Sequence, residues 1–193
     1  MSRSYIIVSC SLMLLLYLQA QQSVLAGGKG YVEGERINEL VIAIGYGKQN
    51  NSDDQINRSI SIDYQFLSWR ITDWLNFYLG GGYSHIMSNT DPEDTVNAVS
   101  FGPGLKFFFA ESEKIKPFFY FAITPTYIDS LQLGSQTQGS HFLFSDTLGL
   151  GVYFGREKKW IATIGWHHLS NGNLFPPNDG YDVPINIGIG RRF

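Results

Sequence analysis

The sequence is short of several things that most folded chains use. It holds a single cysteine, Cys10, so neither a disulfide framework nor a cysteine-based zinc site is available. Charged residues make up only 16% of the chain, well below the roughly 25% of ordinary soluble domains. Lys+Arg number 14 against 17 Asp+Glu, with no basic cluster, and the net charge of −3 offers nothing to grip a phosphate backbone, which excludes nucleic acid as a partner. No stretch beyond the first 26 residues reaches the ~18 to 20 consecutive apolar residues of a membrane-crossing helix, so a helical membrane protein is excluded as well. What the chain has in quantity is aromatics (14 Phe, 11 Tyr and 4 Trp) and 21 Gly over 193 residues, which excludes disorder and fits one domain.

The first residues read as an export signal. Arg3 precedes an apolar run from Tyr5 to Leu18, and Val24-Leu25-Ala26 places small residues before Gly27. That is the layout of a secretory signal peptide, with a run too short for a spanning anchor. Residues 1–26 are therefore expected to be removed, leaving 27–193 as the mature, cysteine-free domain.

From there the chain alternates with period two, the mark of strands that bury one face. Ile60, Ile62, Tyr64 and Phe66 share one face, against Ser59, Ser61, Asp63 and Gln65 on the other. Near the C-terminus Val183, Ile185, Ile187, Ile189 and Phe193 share a face, against Pro184, Asn186, Gly188, Gly190 and Arg192. Similar stretches at 40–46, 75–83, 99–109, 119–127, 142–154 and 160–170 bring the expected count to eight strands. Their connections alternate between short polar turns (70–73, 111–116, 155–159) and longer loops (49–55, 87–94, 129–140, 171–181). Short periplasmic turns and long external loops are the pattern of an outer-membrane barrel.

A soluble barrel would turn its apolar face inward and leave a charged outer face. Here the second face is largely small, with Gly45, Gly47, Gly80, Gly82, Gly102, Gly104, Gly149 and Gly151, and suits a narrow lumen. Trp69, Trp74 and Trp160 fall beside short turns, where an aromatic girdle would meet the periplasmic interface. The expected fold is thus all-β, an eight-stranded antiparallel transmembrane β-barrel of the bacterial outer membrane. Eight strands enclose a space that side chains fill, so a wide diffusion pore is excluded.

Chemistry concentrates at the end of the seventh predicted strand. In Trp160-Ile161-Ala162-Thr163-Ile164-Gly165-Trp166-His167-His168-Leu169-Ser170 the apolar rule turns Trp160, Ala162, Ile164 and Trp166 toward lipid, and His168 and Ser170 share that face. Polar groups on a lipid-facing wall need partners. Two residues apart on a strand, their Cα atoms lie about 6.7 Å from each other, within reach of an imidazole leaning along the strand. A serine beside a histidine is the nucleophile and base pair of acyl transfer. With the C-terminus in the periplasm this strand runs outward, so the pair stands level with the outer, lipopolysaccharide leaflet. Asp146 interrupts the outward face of 142–154, and pairing through the 155–159 turn puts it opposite His168; it is expected to share or take the role of the acid.

His168-Leu169-Ser170-Asn171, followed by Pro177-Asn178-Asp179-Gly180-Tyr181-Asp182, resembles the lipid A 3-O-deacylases of PagL type, whose pattern is His-x-Ser-Asn and then Asn-x-Gly with an acid two residues on. The signal segment, barrel and terminal aromatic Phe193 agree across the mature chain, although only the last quarter is specific. The resemblance implies Ser170 as nucleophile, His168 as general base and Asp182 as the acid that orients it. It also implies Asn178 and the Gly172 N–H as oxyanion donors and Asn171 as a loop support. The implied reaction is hydrolysis of the 3-position ester of lipid A, with no metal or organic cofactor. Asp182 is one methylene shorter than the family's common Glu, which is why Asp146 stays open as the acid.

The remaining polar residues read more plainly. His167 faces inward by parity as a hydrogen-bonded lumen residue, and His85 and His141 lie apart near loop bases with no role. Asp91, Glu93 and Asp94 form a solvated acidic loop, and Phe175-Pro176-Pro177 stiffens the loop after Ser170. A non-enzymatic structural or adhesion barrel and a lipid A acyltransferase are the competing functions. The apolar wall would also permit a homodimer.

Overall fold

A computed structural model describes residues 34–52, 54–90 and 94–193; the expected signal peptide, residues 1–26, and the acidic residues Asp91 and Glu93 lie outside them. Ten strands follow in order: β1 (Gly34–Lys48), β2 (Ile56–Arg70), β3 (Leu75–Ser88), β4 (Thr95–Phe108), β5 (Ile115–Ile128), β6 (Gln132–Leu133), β7 (Gln136–Thr137), β8 (Phe142–Phe154), β9 (Trp160–Ser170) and β10 (Tyr181–Arg192). All but β6 and β7 close into one antiparallel barrel in the order β1-β10-β9-β8-β5-β4-β3-β2. The short β6–β7 hairpin folds inside the third long loop, where no alternation had suggested strands.

The period-two pattern explains the wall. Along β1, Ile42 and Ile44 are 49% and 64% exposed while the alternate residues Val41 and Ala43 are buried. Such a row of exposed large apolar residues recurs on β2, β8, β9 and β10, and is the surface that lipid covers in an outer-membrane barrel. Trp74 and Trp160 stand exposed beside the short turns, with Trp74 against Phe107 and Trp160 under the Arg191 guanidinium. The C-terminal strand closes on β1, and the Phe193 N–H donates to the Asn38 carbonyl at 2.8 Å.

The lumen departs from the expected packing of small residues. Its short-turn half is filled by Tyr78, Phe118 and Tyr153 around Lys106, whose ammonium lies 5.1–5.3 Å from the three ring centres. That ammonium donates to Glu39 at 2.6 Å, and Arg192 (2.7 Å) and the Tyr153 hydroxyl (2.9 Å) bind the same carboxylate. The glycines are what make room: a Cβ on Gly104 would sit 2.2 Å from the Tyr78 ring, and one on Gly151 would sit 2.2 Å from Phe118. Above the cluster a cavity of about 110 Å³ remains, lined in part by Asp63, Tyr120 and His167.

One parity expectation is overturned. Val183 was expected on the lipid face with Ile185, Ile187 and Ile189, but it is fully buried on the inner side, opposite His167. The cause is a register shift between Val183 and Asn186, where β10 carries one residue more than β9. Pro184 sits in that bulge; lacking an N–H, it cannot serve a regular central ladder. Every residue on the N-terminal side of the bulge changes face.

Candidate active site

The bulge matters because Asp182 precedes it. By uninterrupted alternation Asp182 would face the lumen; with the extra residue it stands directly opposite His168, on the same face. On the other side β8 and β9 pair without interruption, Asp146 opposite His168 and Phe144 opposite Ser170. His168 therefore keeps the outward parity of Ile164 and Trp166, and its ring stacks on Trp166 at 5.2 Å and 9°. His167 and Leu169 turn inward, His167 to hydrogen-bond Ser145 through Nε2 at 2.8 Å. Ser170, the last residue of β9, is half-buried and shares the face of His168.

The imidazole is committed on one side. His168 Nδ1 lies 2.8 Å from Asp182 Oδ1, and the acid is 2% exposed. A carboxylate accepts only, so Nδ1 carries a proton, and in the neutral ring the lone pair is therefore on Nε2. Gly180 makes the space: its φ is +76°, and a Cβ there would lie 2.6 Å from His168 Cε1. Any other residue would be strained and would push the ring off the acid. Asp146 sits opposite His168 in register, but its Oδ1 is buried without a hydrogen-bond partner, and the Nδ1 contact belongs to Asp182.

Asp182 is itself held by residues that the sequence did not single out. Gln49, buried just past the end of β1, accepts the Asp182 N–H at Oε1 (2.9 Å) and donates from Nε2 to Oδ2 (3.2 Å). Asn57 donates to Gln49 Oε1 at 2.7 Å and to the Asp182 carbonyl at 2.8 Å. Gln55 in turn donates to Asn57 Oδ1 at 2.9 Å and to the Leu133 carbonyl of the β6–β7 hairpin at 3.1 Å. Two donors converge on Gln49 Oε1, which fixes the amide orientation and forces its NH₂ toward the carboxylate.

The loop after Ser170 is equally determined. Asn171 to Leu174 form a tight turn, with Gly172 and Asn173 at φ +64° and +62° and the Leu174 N–H on the Asn171 carbonyl at 3.1 Å. The fully buried Asn171 amide donates to the carbonyls of Phe175 and Pro177. Asn178 Oδ1 accepts the Asn171 N–H at 2.8 Å, which leaves its NH₂ to point elsewhere, with only a 3.4 Å contact to Asn173. The third long loop clamps this segment through Gly139 N–H to Pro177 O (2.7 Å) and Thr137 N–H to Asp179 Oδ2 (2.8 Å). His85 and His141 bond Asn97 and the Ile128 carbonyl, and among the described residues no hydrogen bond joins either to the residues above.

An antiparallel eight-stranded barrel with an apolar wall and a serine, a paired histidine and an acid at its loop-bearing rim defines a class, the outer-membrane ester hydrolases. The family model described as "Lipid A 3-O-deacylase (PagL)" matches residues 57–185, and the chain belongs to that family. It is similar to the lipid A deacylase PagL of Pseudomonas aeruginosa, at 30% identity over 135 residues, 65% of this chain and 75% of that one. Among solved structures, that of the outer membrane enzyme PagL superposes with a TM-score of 0.60 at 21% identity, covering 79% of this chain and 98% of that one. Neisserial surface protein A superposes with a TM-score of 0.53 at 13% identity over 83% of this chain and 99% of its own, a likeness of fold alone. The protein is an ester-hydrolysing enzyme of the outer membrane. The matched residues include His168, Ser170 and Asp182 but not Gln49.

Proposed function

We propose that this enzyme removes the acyl chain esterified to the 3-position of lipid A, with Ser170 as nucleophile, His168 as general base and Asp182 as the acid that orients the imidazole. The observation that carries the reading is the 2.8 Å bond between His168 Nδ1 and Asp182 Oδ1 on the face that Ser170 shares, which supports Nε2 as the base for a serine two residues along the strand.

Ser170 Oγ attacks the ester carbonyl while His168 Nε2 takes its proton. The tetrahedral oxyanion is met by the Asn178 NH₂, which Asn171 turns away from its own N–H, and by the Gly172 N–H on the tight turn. Collapse breaks the bond between the carbonyl carbon and the sugar oxygen, and the imidazolium returns the proton to that oxygen. Water then attacks the acyl-serine with the same base, releasing a 3-hydroxy fatty acid and restoring Ser170. Asp182 stays ionised throughout and stabilises the imidazolium. Residues 1–26 act in this reading as the signal that delivers the chain to the envelope.

Mass spectrometry of lipid A from cells expressing the wild type or Ser170→Ala tests this. The expected result is loss of one hydroxyacyl chain with the wild type and intact lipid A with the variant. A gain of a chain would make the protein an acyltransferase, and a Ser170→Ala enzyme that still deacylates would overturn the serine mechanism.

A further inference from the structure

Cations are spread unevenly over this barrel. Among the described residues, Lys48 and Arg58 are the only Lys or Arg at the long-loop end. At the short-turn end most cations are matched to carboxylates, as Lys106 and Arg192 are to Glu39, and Lys116 and Lys158 to Glu111. Lys48 and Arg58 have no carboxylate partner among the described residues. Both are exposed on the outer wall, where they continue the rows Ile42-Ile44-Tyr46 of β1 and Ile62-Ile60 of β2. Tyr46 pairs with Arg58 and Lys48 with Ile56, so the two cations are diagonal neighbours on one face.

Their place beside the site is set by register. β1 is the neighbour of β10, and β10 of β9. Gln49 is level with Asp182, as its two hydrogen bonds require, so Lys48 lies one residue below the height of His168. At about 4.8 Å per strand, the Lys48 column is about 10 Å around the wall from His168 and the Arg58 column about 14 Å. Other outer rows end at this rim in Met87, Thr95, Tyr127 and Phe142, none of them charged. A general snorkelling device would ring the barrel; this pair stands only beside the catalytic strands. The β1–β2 loop above the pair carries Asp54, and the other described loops at this end carry Asp94, Asp129 and Asp179, with no further cation among them.

We propose that Lys48 and Arg58 form a phosphate subsite that receives the phosphomonoester of the substrate sugar and so sets the 3-position ester over Ser170. The inference rests on the lipid A reading above. Lipid A is a phosphorylated glucosamine disaccharide, and a phosphate a few bonds from the scissile ester would lie about one sugar's width from Ser170. Arg58 offers its planar fork and Lys48 a point charge, at headgroup depth where water is scarce and the attraction is weakly screened. Below the level of His168 and Lys48 the same stretch of wall carries the exposed Ile185 and Tyr46, apolar surface for the acyl chains of the same lipid.

The test uses the full-length enzyme in neutral detergent micelles, with lipid A and with the same lipid stripped of its phosphates. The wild type should prefer the phosphorylated form by about tenfold in kcat/KM. In K48Q/R58Q that preference should fall below about threefold, while K48R/R58K, which keeps both charges, retains most of it. Adding phosphatidylglycerol to the stripped substrate should not restore the rate; full restoration would mean that the cations read a neighbouring lipid, and would overturn the proposal. A wild type indifferent to phosphate, or an unchanged preference in K48Q/R58Q, would overturn it too. Ser170→Ala run in parallel keeps the two readings apart, since hydrolysis surviving there refutes the serine mechanism while the phosphate preference of the other variants is still read directly.

Discussion

The two ends of this barrel solve the same problem, polar groups out of water, with different chemistry. At the short-turn end the buried network is ionic: Glu39 is shared by Lys106, Arg192 and the Tyr153 hydroxyl, and every charge has an opposite one within hydrogen-bond distance. At the long-loop end it is neutral: Gln55, Asn57 and Gln49 pass hydrogen bonds from the β6–β7 hairpin to Asp182 without bringing a cation near it. A lysine in the place of Gln49 would satisfy Asp182 more strongly and would also spend its negative charge. An amide holds the carboxylate in place and, in the mechanism proposed above, leaves that charge for the imidazolium that would form as Ser170 is deprotonated. Ion pairs serve where the network has only to fill space, and amides serve where a charge has to be kept available.

The sharpest way to break the comparison is at Asp182. Asp182→Asn keeps the shape of the network but presents an NH₂ or an uncharged oxygen to His168, so kcat should fall by about 10³- to 10⁴-fold with little change in the urea midpoint. Asp146→Asn, whose parent carboxylate has a buried oxygen without a partner, should stay within a few-fold of wild type. Equal losses in the two variants would assign the acid to the pair. Next comes the ionic end. Lys106→Met leaves Glu39 buried with less compensation and should cost about 3 kcal/mol in urea unfolding from lipid vesicles, with turnover per folded molecule unchanged. A turnover loss matching the stability loss would show that the two networks are coupled through the lumen.

The neutral network responds more gently. Gln49→Leu strands the Asp182 N–H, its Oδ2 and the Asn57 amide, and should lower kcat by about tenfold at nearly constant KM. Gln49→Glu places a second anion beside the acid and should move the acidic limb of the kcat/KM profile to higher pH, because the imidazolium is then favoured. A merely structural Gln49 would leave that limb where it is.

Much of this was legible in the sequence, and the rest was hidden for definite reasons. Alternation exposes strands because one residue in two meets lipid, and it places His168 and Ser170 on the outer face from Trp160, Ala162, Ile164 and Trp166. The same rule put Val183 on the wrong side, because a bulge changes parity without changing composition. Pro184 inside an alternating run was the available sign, since a proline cannot donate to a central ladder. The Asp182 to His168 pairing follows once that bulge is admitted. Gln49, Asn57 and Gln55 left no such trace. Two of them sit outside the regular part of the strands, where no period selects polar residues, and the partners they reach beyond one another, Leu133 and Asp182, lie between 78 and 133 residues away in the chain. The ionic core was obscured differently, since Glu39, Lys106 and Arg192 are isolated charges on three separate strands and only barrel closure brings them together.

The smallest effect belongs to the short-turn surface, where the ionic style of that end continues into water. Glu111, in the turn between β4 and β5, accepts from Lys158 of the β8–β9 turn at 2.5 Å and lies 3.1 Å from Lys116. These two ammonium groups hold its carboxyl down at about 2, against an ordinary value of 4.5. A lowered carboxylate stabilises the fold above the unfolded value, and that contribution is lost as pH falls from about 4.5 toward 2. The pair is exposed and screened, so the gain is small even when complete. Urea midpoints of wild type and Glu111→Gln should differ slightly at pH 6 and converge only as pH falls to about 2, and the gap should also narrow in high salt. A gap that stayed at its full pH 6 size down to about pH 2 would mean that Glu111 acts through packing of the turn, and the contrast between the barrel's ends would then be confined to its interior.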